Sequence, residues 1–524
     1  MDSGTTTSGL LGYSWLLTHL NIPDHLPLSQ GSLLAGTSPP PGFPYDTTWH
    51  RWHKNYALAD DPRQHVAFAL RHEPLRQDLL KAVFRATGPE LWRQEVLVHP
   101  RSRQAALAGF YYERLTGETL DCPGSSCDPL EALSPTSYFT AAPVRNKRWR
   151  ILDNLPGSPG FCPLVRRTKA LERQSPHLHA LLSSALAGAH DDAKLLERAG
   201  FYLAIKDTQA SFAIEHETPS PDRMRRFVQA VNAYSQSPLT PEHLFAVQNA
   251  VIDNPLLKSP RGVYRHETVY VGESRHGSYG IGFEKIHFVA PDPRHVEGMM
   301  RDWFTAIERP ATDPLAFAAA AAFGLVFIHP FPDGNGRTHR FVLQHLLAQG
   351  GLCPDGVALP LSAWLQRNTG AYDAALEAFS RPLMGALRFR MDTEGVVTIQ
   401  NDLSDAYRYF DATVQAETVG QAVQAVLTED IPQEIQFLRT FDAARARLRA
   451  AMDLTDKEMD VAVHTILREG RMSKAKRSRY FAHYPDEVIR RMEQAVLPPA
   501  DIRNQSDVDC HPKRRSGPGP GIDS

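Results

Sequence analysis

His329, Asp333, Arg337 and Arg340 stand close together in one stretch of 13 residues, His-Pro-Phe-Pro-Asp-Gly-Asn-Gly-Arg-Thr-His-Arg-Phe, from His329 to Phe341. An imidazole is the side chain best suited to take up a proton near neutral pH. A carboxylate beside phosphates is the usual seat of a magnesium ion. Two arginines three apart on a helix share a face, so Arg337 and Arg340 can reach one polyphosphate together. Gly334, Asn335 and Gly336 tolerate positive φ and let successive N–H groups converge on one point. The combination describes a proton acceptor set at the rim of a phosphate cradle. A proline–glycine turn with a core histidine and two solvated arginines is the plain alternative. Fragments of the stretch favour that alternative; the full set of residues does not.

The flanking residues supply the elements that must hold this stretch. Leu315 to Ile328 (LAFAAAAAFGLVFI) carries no charge and is rich in alanine and leucine, which predicts a buried helix. It falls short of the ~20 residues a membrane span needs. Pro330 and Pro332 then stop the helix and extend the backbone. A second helix is predicted from Arg337 to about Gln349, with Gly350-Gly351 as its stop. A helix start behind a glycine turn presents free N–H groups and the positive end of its dipole, which is an anion site.

The stretch resembles the Fic family motif, HPFx(D/E)GNGRxxR, at all nine fixed positions. That resemblance implies a mainly α fold: a Fic-type (Fido) helical core with one β-hairpin flap, here with N-terminal and C-terminal helical regions added. It implies transfer of AMP from ATP to a Ser, Thr or Tyr hydroxyl of a target protein, with Mg²⁺ as cofactor. By the same resemblance His329 is the catalytic base and Asp333 the metal ligand. Gly334, Asn335, Gly336, Arg337 and Arg340 bind the nucleotide phosphates. Glycine at 336 matches the adenylylating form, whereas relatives with lysine there tend to act as kinases. Another donor, such as UTP, GTP or a CDP-alcohol, would suit the same loop, because the loop reads phosphates and not bases.

Three further features gain meaning beside that motif. Ser211 and Glu215 are four apart, hence on one helix face. Alone, that spacing is an ordinary exposed pair, but it resembles the family's inhibitory motif, (S/T)xxxE(G/N), whose glutamate pairs with the second signature arginine, here Arg340. His216 stands where the family shows Gly or Asn. Two β-branched and aromatic runs, 262–271 and 281–289, predict a hairpin with a glycine-rich turn at 272–280. It resembles the Fic flap, in which Ile281, Gly282, Phe283, Glu284 and Lys285 would dock a target segment as an added strand. Asn368 and Tyr372, expected on one face of a helix from Trp364 to Phe379, resemble the family's nucleobase-side residues. Core packing accounts for them equally well.

The remainder bounds the protein's class. The chain has 524 residues, 42% hydrophobic and 22% charged, with a formal net charge of −2, an ordinary globular balance with no global field for nucleic acid or anionic lipid. No GxxxxGK(S/T) stretch is present, which argues against a Walker-type ATPase. Five cysteines, thinly spread, suggest free thiols; a zinc site at Cys122, Cys127 and Cys162 lacks a clear fourth ligand. The N-terminus has no basic n-region before an apolar stretch, so a cytoplasmic location, or delivery without a cleaved signal, is expected. The expected divisions are a proline- and glycine-rich arm at 1–45, a region of unassigned function at 46–190, the Fic domain at 191–400, charged helices at 405–497 and a disordered tail at 498–524. A basic patch at 145–150 and a helix–glycine–basic-helix stretch around Gly470 raise nucleic-acid contact, though solvated faces and partner choice are the commoner uses. A non-enzymatic, nucleotide-gated binding module is the rival reading for the whole chain.

Overall fold

The structure, a computed structural model, describes residues 9–43, 46–186, 192–234, 237–260, 262–276, 282–309, 312–353 and 357–497. The fold is mainly helical, with small two- and three-stranded sheets. It divides into two compact units, Met1–Ala185 with Gly200–Glu429, and Leu186–Ala199 with Asp430–Ser524.

In the first unit the N-terminal residues join a core. Strands Leu10–Leu11, Gln30–Leu34 and Thr48–Trp52 form one sheet, and the helix Gly12–His19 between the first two buries Tyr13, Trp15 and Leu16. The residues read as an arm are structured over 9–43, and the apolar run around Trp15 packs on the helix Pro62–His72, where Trp15 stacks on His65. The basic patch at 145–150 is likewise tied down. Trp149 is fully buried, its indole N–H donates to Glu113 Oε2 (2.7 Å), and its ring sits where Gly109 leaves room for it. An aromatic so placed is not free to stack on a base.

The apolar run forms the helix Pro314–Ile328, buried along nearly its whole length. Trp303, from the helix Pro293–Ile307, donates to the Ala321 carbonyl (2.8 Å). The helices Asn335–Gln349 and Thr413–Ala425 also pack on it. Close approach is possible because alanine and glycine line it; Gly324 lies directly under the Phe161 ring.

Three elements differ from their expected bounds. The hairpin strands run Tyr270–His276 and Gly282–Val289, antiparallel, with a bulge between Val271 and Gly272. The first strand thus starts later than 262 and includes residues expected in the turn. Residues 264 and 265 instead pack on the prolyl bend, where Tyr264 meets Phe331 and the Arg265 N–H bonds the Pro330 carbonyl (3.0 Å). Helix 364–379 is broken at Asn368 (φ −124°, ψ 49°) into Leu361–Arg367 and Thr369–Ala386. The helical stretch expected from 405 onward is interrupted early, where Leu164 bonds Phe410 and Ala412 across the gap, leaving Ser404–Arg408 and Thr413–Ala425.

In the second unit the helices Ile431–Ala451, Asp456–Glu469 and Asp486–Val496 enclose a small core that includes Leu448, Val463, Ile466, Phe481 and Met492. The basic link forms a short helix, Lys474–Tyr480, with no buried residue. The tail at 498–524 lies outside the described residues.

The seat under Phe161 yields a prediction. Gly324→Ala forces the ring aside and should cost about 1–3 kcal/mol, read as a lower thermal midpoint. An unchanged midpoint would show that the helix has slack there.

Candidate active site

His329 is the first residue past the buried helix and is held in the left-handed region, φ 53° and ψ 59°. For a non-glycine residue that costs about 1–3 kcal/mol, and such strain persists where the surroundings over-determine it. The ring Nδ1–H donates to the Val326 carbonyl (3.0 Å), which fixes the tautomer and leaves the Nε2 lone pair free. The ring is only part-buried. Loss of hydration nonetheless pushes its pKa down to about 4, with the Arg265 charge adding to the effect and the Val326 bond opposing it. His329 is thus neutral at physiological pH and able to accept a proton.

The bend that follows is closed from within. Asn335, 3% exposed, accepts from the Phe331 N–H (3.0 Å) and donates to the Phe331 carbonyl (2.8 Å). Its amide is therefore engaged in the bend, which leaves its backbone N–H as the group at the helix start. Gly334 caps the new helix at φ 83°, which glycine adopts without penalty. Gln248, fully buried, donates to the Asp333 and Leu257 carbonyls (both 3.1 Å) and anchors the loop from below. The first N–H groups of the helix Asn335–Gln349 have no intrahelical acceptor, and the helix dipole adds positive potential above them.

Asp333 Oδ1 accepts from the Gly334 N–H (2.5 Å) and from Arg337 Nη2 (3.4 Å), and its side chain is 42% exposed. Among the described residues no group of three or more His, Cys, Asp or Glu is placed to hold a metal ion. One exposed carboxylate fits magnesium in its usual manner, in which substrate phosphates and water complete the shell.

Both signature arginines are buried and held by carboxylates from one chain segment. Arg340 donates through Nε to Ser211 Oγ (2.9 Å), and through Nη2 to the Ser211 carbonyl (2.7 Å) and Glu215 Oε1 (2.8 Å). Its Nη1 meets no acceptor at bonding geometry and lies 3.3 Å from where a side-chain carbon on Gly336 would stand. That same carbon would overlap Glu215 Oε1, so Glu215 rests against the glycine turn. Burial resists ionisation of Glu215, but the Arg340 charge and bond, aided by the Arg337 charge, hold its carboxyl below the usual range. The structure brings together Ser211, Glu215, Gly336, Arg337 and Arg340.

Glu217 was not legible in the sequence. It accepts from Arg337 Nη1 (2.8 Å) and pairs with Arg223 (2.5 Å), while Arg337 and Arg223 both lie over the Phe212 ring. The reason it reaches Arg337 is local. The helix Ala193–Ile214 ends just before Glu215, His216 turns left-handed at φ 57°, and the Glu217 N–H returns to the Phe212 carbonyl (3.1 Å). A helix C-terminus of this kind favours Gly or Asn at the left-handed position. This is a physical reason for a small residue where His216 stands.

The remaining expected site residues are placed less openly. Tyr372 is 6% exposed, stacks on His339 (6.2 Å between ring centroids) and lies beside Arg340. Asn368 sits in the helix break and donates to the Trp364 carbonyl (2.9 Å), so the two do not share one continuous helix face. In the hairpin Lys285 is exposed and pairs in register with Glu273; Gly282, Phe283 and Glu284 are placed as strand only, and Ile281 lies outside the described residues.

A mainly helical core, a hairpin beside His329 and a helix start behind a glycine turn make up the site. Residues 238–347 match the Fic/DOC family model, so the chain carries a Fic/DOC domain. It is 28% identical over 147 residues to the protein adenylyltransferase Fic of Nematostella vectensis, covering 27% of this chain and 30% of that one. It is 44% identical over 62 residues to the protein adenylyltransferase fic-1 of Caenorhabditis briggsae, 12% of each chain. These matches span less than a third of each relative's length. A Fic family protein from Desulfovibrio desulfuricans G20 shows 18% identity and a TM-score of 0.36, over 62% of this chain and 90% of that chain. No helix among the described residues is long and apolar enough to cross a membrane.

Two expectations follow. In an NMR titration of the free protein the His329 ring signals should stay constant down to about pH 5, since a depressed imidazole pKa leaves the ring neutral until well below 6.5. A midpoint near 6.5 would contradict the site as described. Replacing His216 by glycine should raise stability by about 1 kcal/mol in urea unfolding, because the left-handed penalty is removed; a loss of stability would show that the imidazole makes a contact worth more than the strain.

Proposed function

We propose that the chain is a protein adenylyltransferase that holds itself in a restrained state. The observation that carries the reading is Arg340, buried beside the glycine turn, bonded to Glu215 and Ser211, and with one guanidinium N–H facing the turn unused. A guanidinium in that setting calls for an anion, and a nucleotide polyphosphate is the anion that a helix start with two arginines recognises.

In this reading the target's hydroxyl oxygen attacks the α-phosphorus of ATP. The new P–O bond forms as the bond to pyrophosphate breaks, and His329 Nε2 takes the hydroxyl proton. The N–H groups of Gly334, Asn335 and Gly336 are preorganised donors for the charge that gathers on the phosphates. Arg337 faces the β-phosphate side. Arg340 faces the γ-phosphate once Glu215 releases it. Magnesium bound with the triphosphate, held on this chain by Asp333, would neutralise charge on the leaving pyrophosphate. The hairpin would position the incoming hydroxyl through main-chain bonds, which place a strand without reading much of its sequence.

Glu215→Gly tests the restraint. A charge-assisted bond in a buried site contributes about 1.5–3 kcal/mol, so labelling of target proteins from labelled ATP should rise about 10- to 100-fold. An unchanged or lower rate would remove the restraint from the account. In that background His329→Ala should retain ATP binding and lose at least about 100-fold in transfer. Labelling close to the parent rate would mean that another group accepts the proton.

A further inference from the structure

Arg265 stands outside the signature and has no assigned role, yet among the described residues of the first unit no other guanidinium side chain donates to four backbone carbonyls. It is 4% exposed. Its Nε donates to the His329 carbonyl (2.7 Å), and Nη2 reaches the Ile328 carbonyl at 3.4 Å. Its Nη1 donates to the Glu267 carbonyl and Nη2 to the Pro291 carbonyl, both at 2.6 Å. Its own N–H bonds the Pro330 carbonyl (3.0 Å). The four acceptors of the side chain come from three places. Ile328 and His329 end the buried helix, Glu267 precedes the strand Tyr270–His276, and Pro291 follows the strand Gly282–Val289.

We infer that Arg265 is the positioning residue of this site: one planar guanidinium ties both feet of the hairpin to the left-handed bend that carries His329, and so sets the distance between docked target and base. The inference rests on the reading of His329 as base and the hairpin as target dock. A helix end leaves carbonyls without partners, and three segments meeting there leave more. Buried carbonyls require donors. Five N–H groups in one plane can serve several of them at fixed angles, which an ammonium on a flexible stem cannot do. A second tie holds the same hairpin foot, since the Tyr407 hydroxyl donates to the Val289 carbonyl (2.7 Å). The hairpin base therefore keeps support when Arg265 is changed, and a substitution there alters register rather than existence.

The test compares Arg265→Lys and Arg265→Gln with their parent, all carrying Glu215→Gly. Misplacing reacting groups by about 1 Å costs up to about 100-fold, so kcat for target labelling should fall about 10- to 100-fold while ATP affinity stays within about twofold. Hydrogen exchange should quicken in segments 266–273, 285–291 and 325–331 together, with the helices of the N-terminal region unchanged. A kcat equal to the parent's, or exchange unchanged in those segments, overturns the inference. So does a loss of ATP affinity in step with kcat, which would mark general unfolding. If the Glu215→Gly parent labels nothing, the enzymatic reading fails, and the exchange measurement still decides whether Arg265 clamps the three segments.

Discussion

A guanidinium buried beside a helix start is the constraint around which this protein is arranged. Arg340 brings five N–H donors and a fixed positive charge into a setting with little water, and an uncompensated charge there would cost several kcal/mol. Ser211 and Glu215 supply oxygens on one side. The donor facing Gly336 stays open. Glu215 thus leans on the glycine turn, and in the proposed reading it occupies the place of an anionic ligand. Removing the carboxylate leaves the arginine wanting a substitute, and a phosphate oxygen is the natural one. Restraint and ligand recognition are, in this account, two uses of one charge.

The device needs little machinery because both acidic side chains come from the end of a single helix. Ser211 lies on its last turn, Glu215 just beyond, and Glu217 is swung toward Arg337 by the left-handed turn at His216. Glu215 and Glu217 thus meet Arg340 and Arg337 from one short stretch of chain. Helix ends are among the least costly parts of a fold to open locally, which suits a latch. The opposite wall is stiff by comparison: the buried alanine helix, the Asn335–Phe331 closure and the Gln248 anchor hold His329 and the loop in place.

What could be read from the sequence was what is encoded locally. The uncharged alanine-rich helix, the prolyl bend and the glycine-capped helix each follow from neighbouring residues, and the family motif lies wholly within them. Ser211 and Glu215 were legible as a spacing, although spacing alone does not say what they face. Glu217 gave no signal, because its aim depends on a positive φ at a histidine. The first hairpin strand was placed too early for a related reason. Residues 264 and 265 have strand-like composition, but their partners are the prolyl bend and the carbonyls around it, contacts that local pattern does not encode. The proline- and glycine-rich arm also carries Trp15 and Leu16, which enter a core whose other members lie far along the chain. Asn335 shows the converse, where a motif residue expected to face the ligand spends its side chain on the loop itself.

In the proposed reading Glu215 and the terminal phosphate of a nucleoside triphosphate compete for Arg340. Calorimetric binding of ATP and of ADP to the parent chain and to Glu215→Gln tests it most directly. The substitution should tighten ATP binding about tenfold or more while ADP, which lacks that phosphate, gains little. Equal gains for both nucleotides, or none for either, would contradict it.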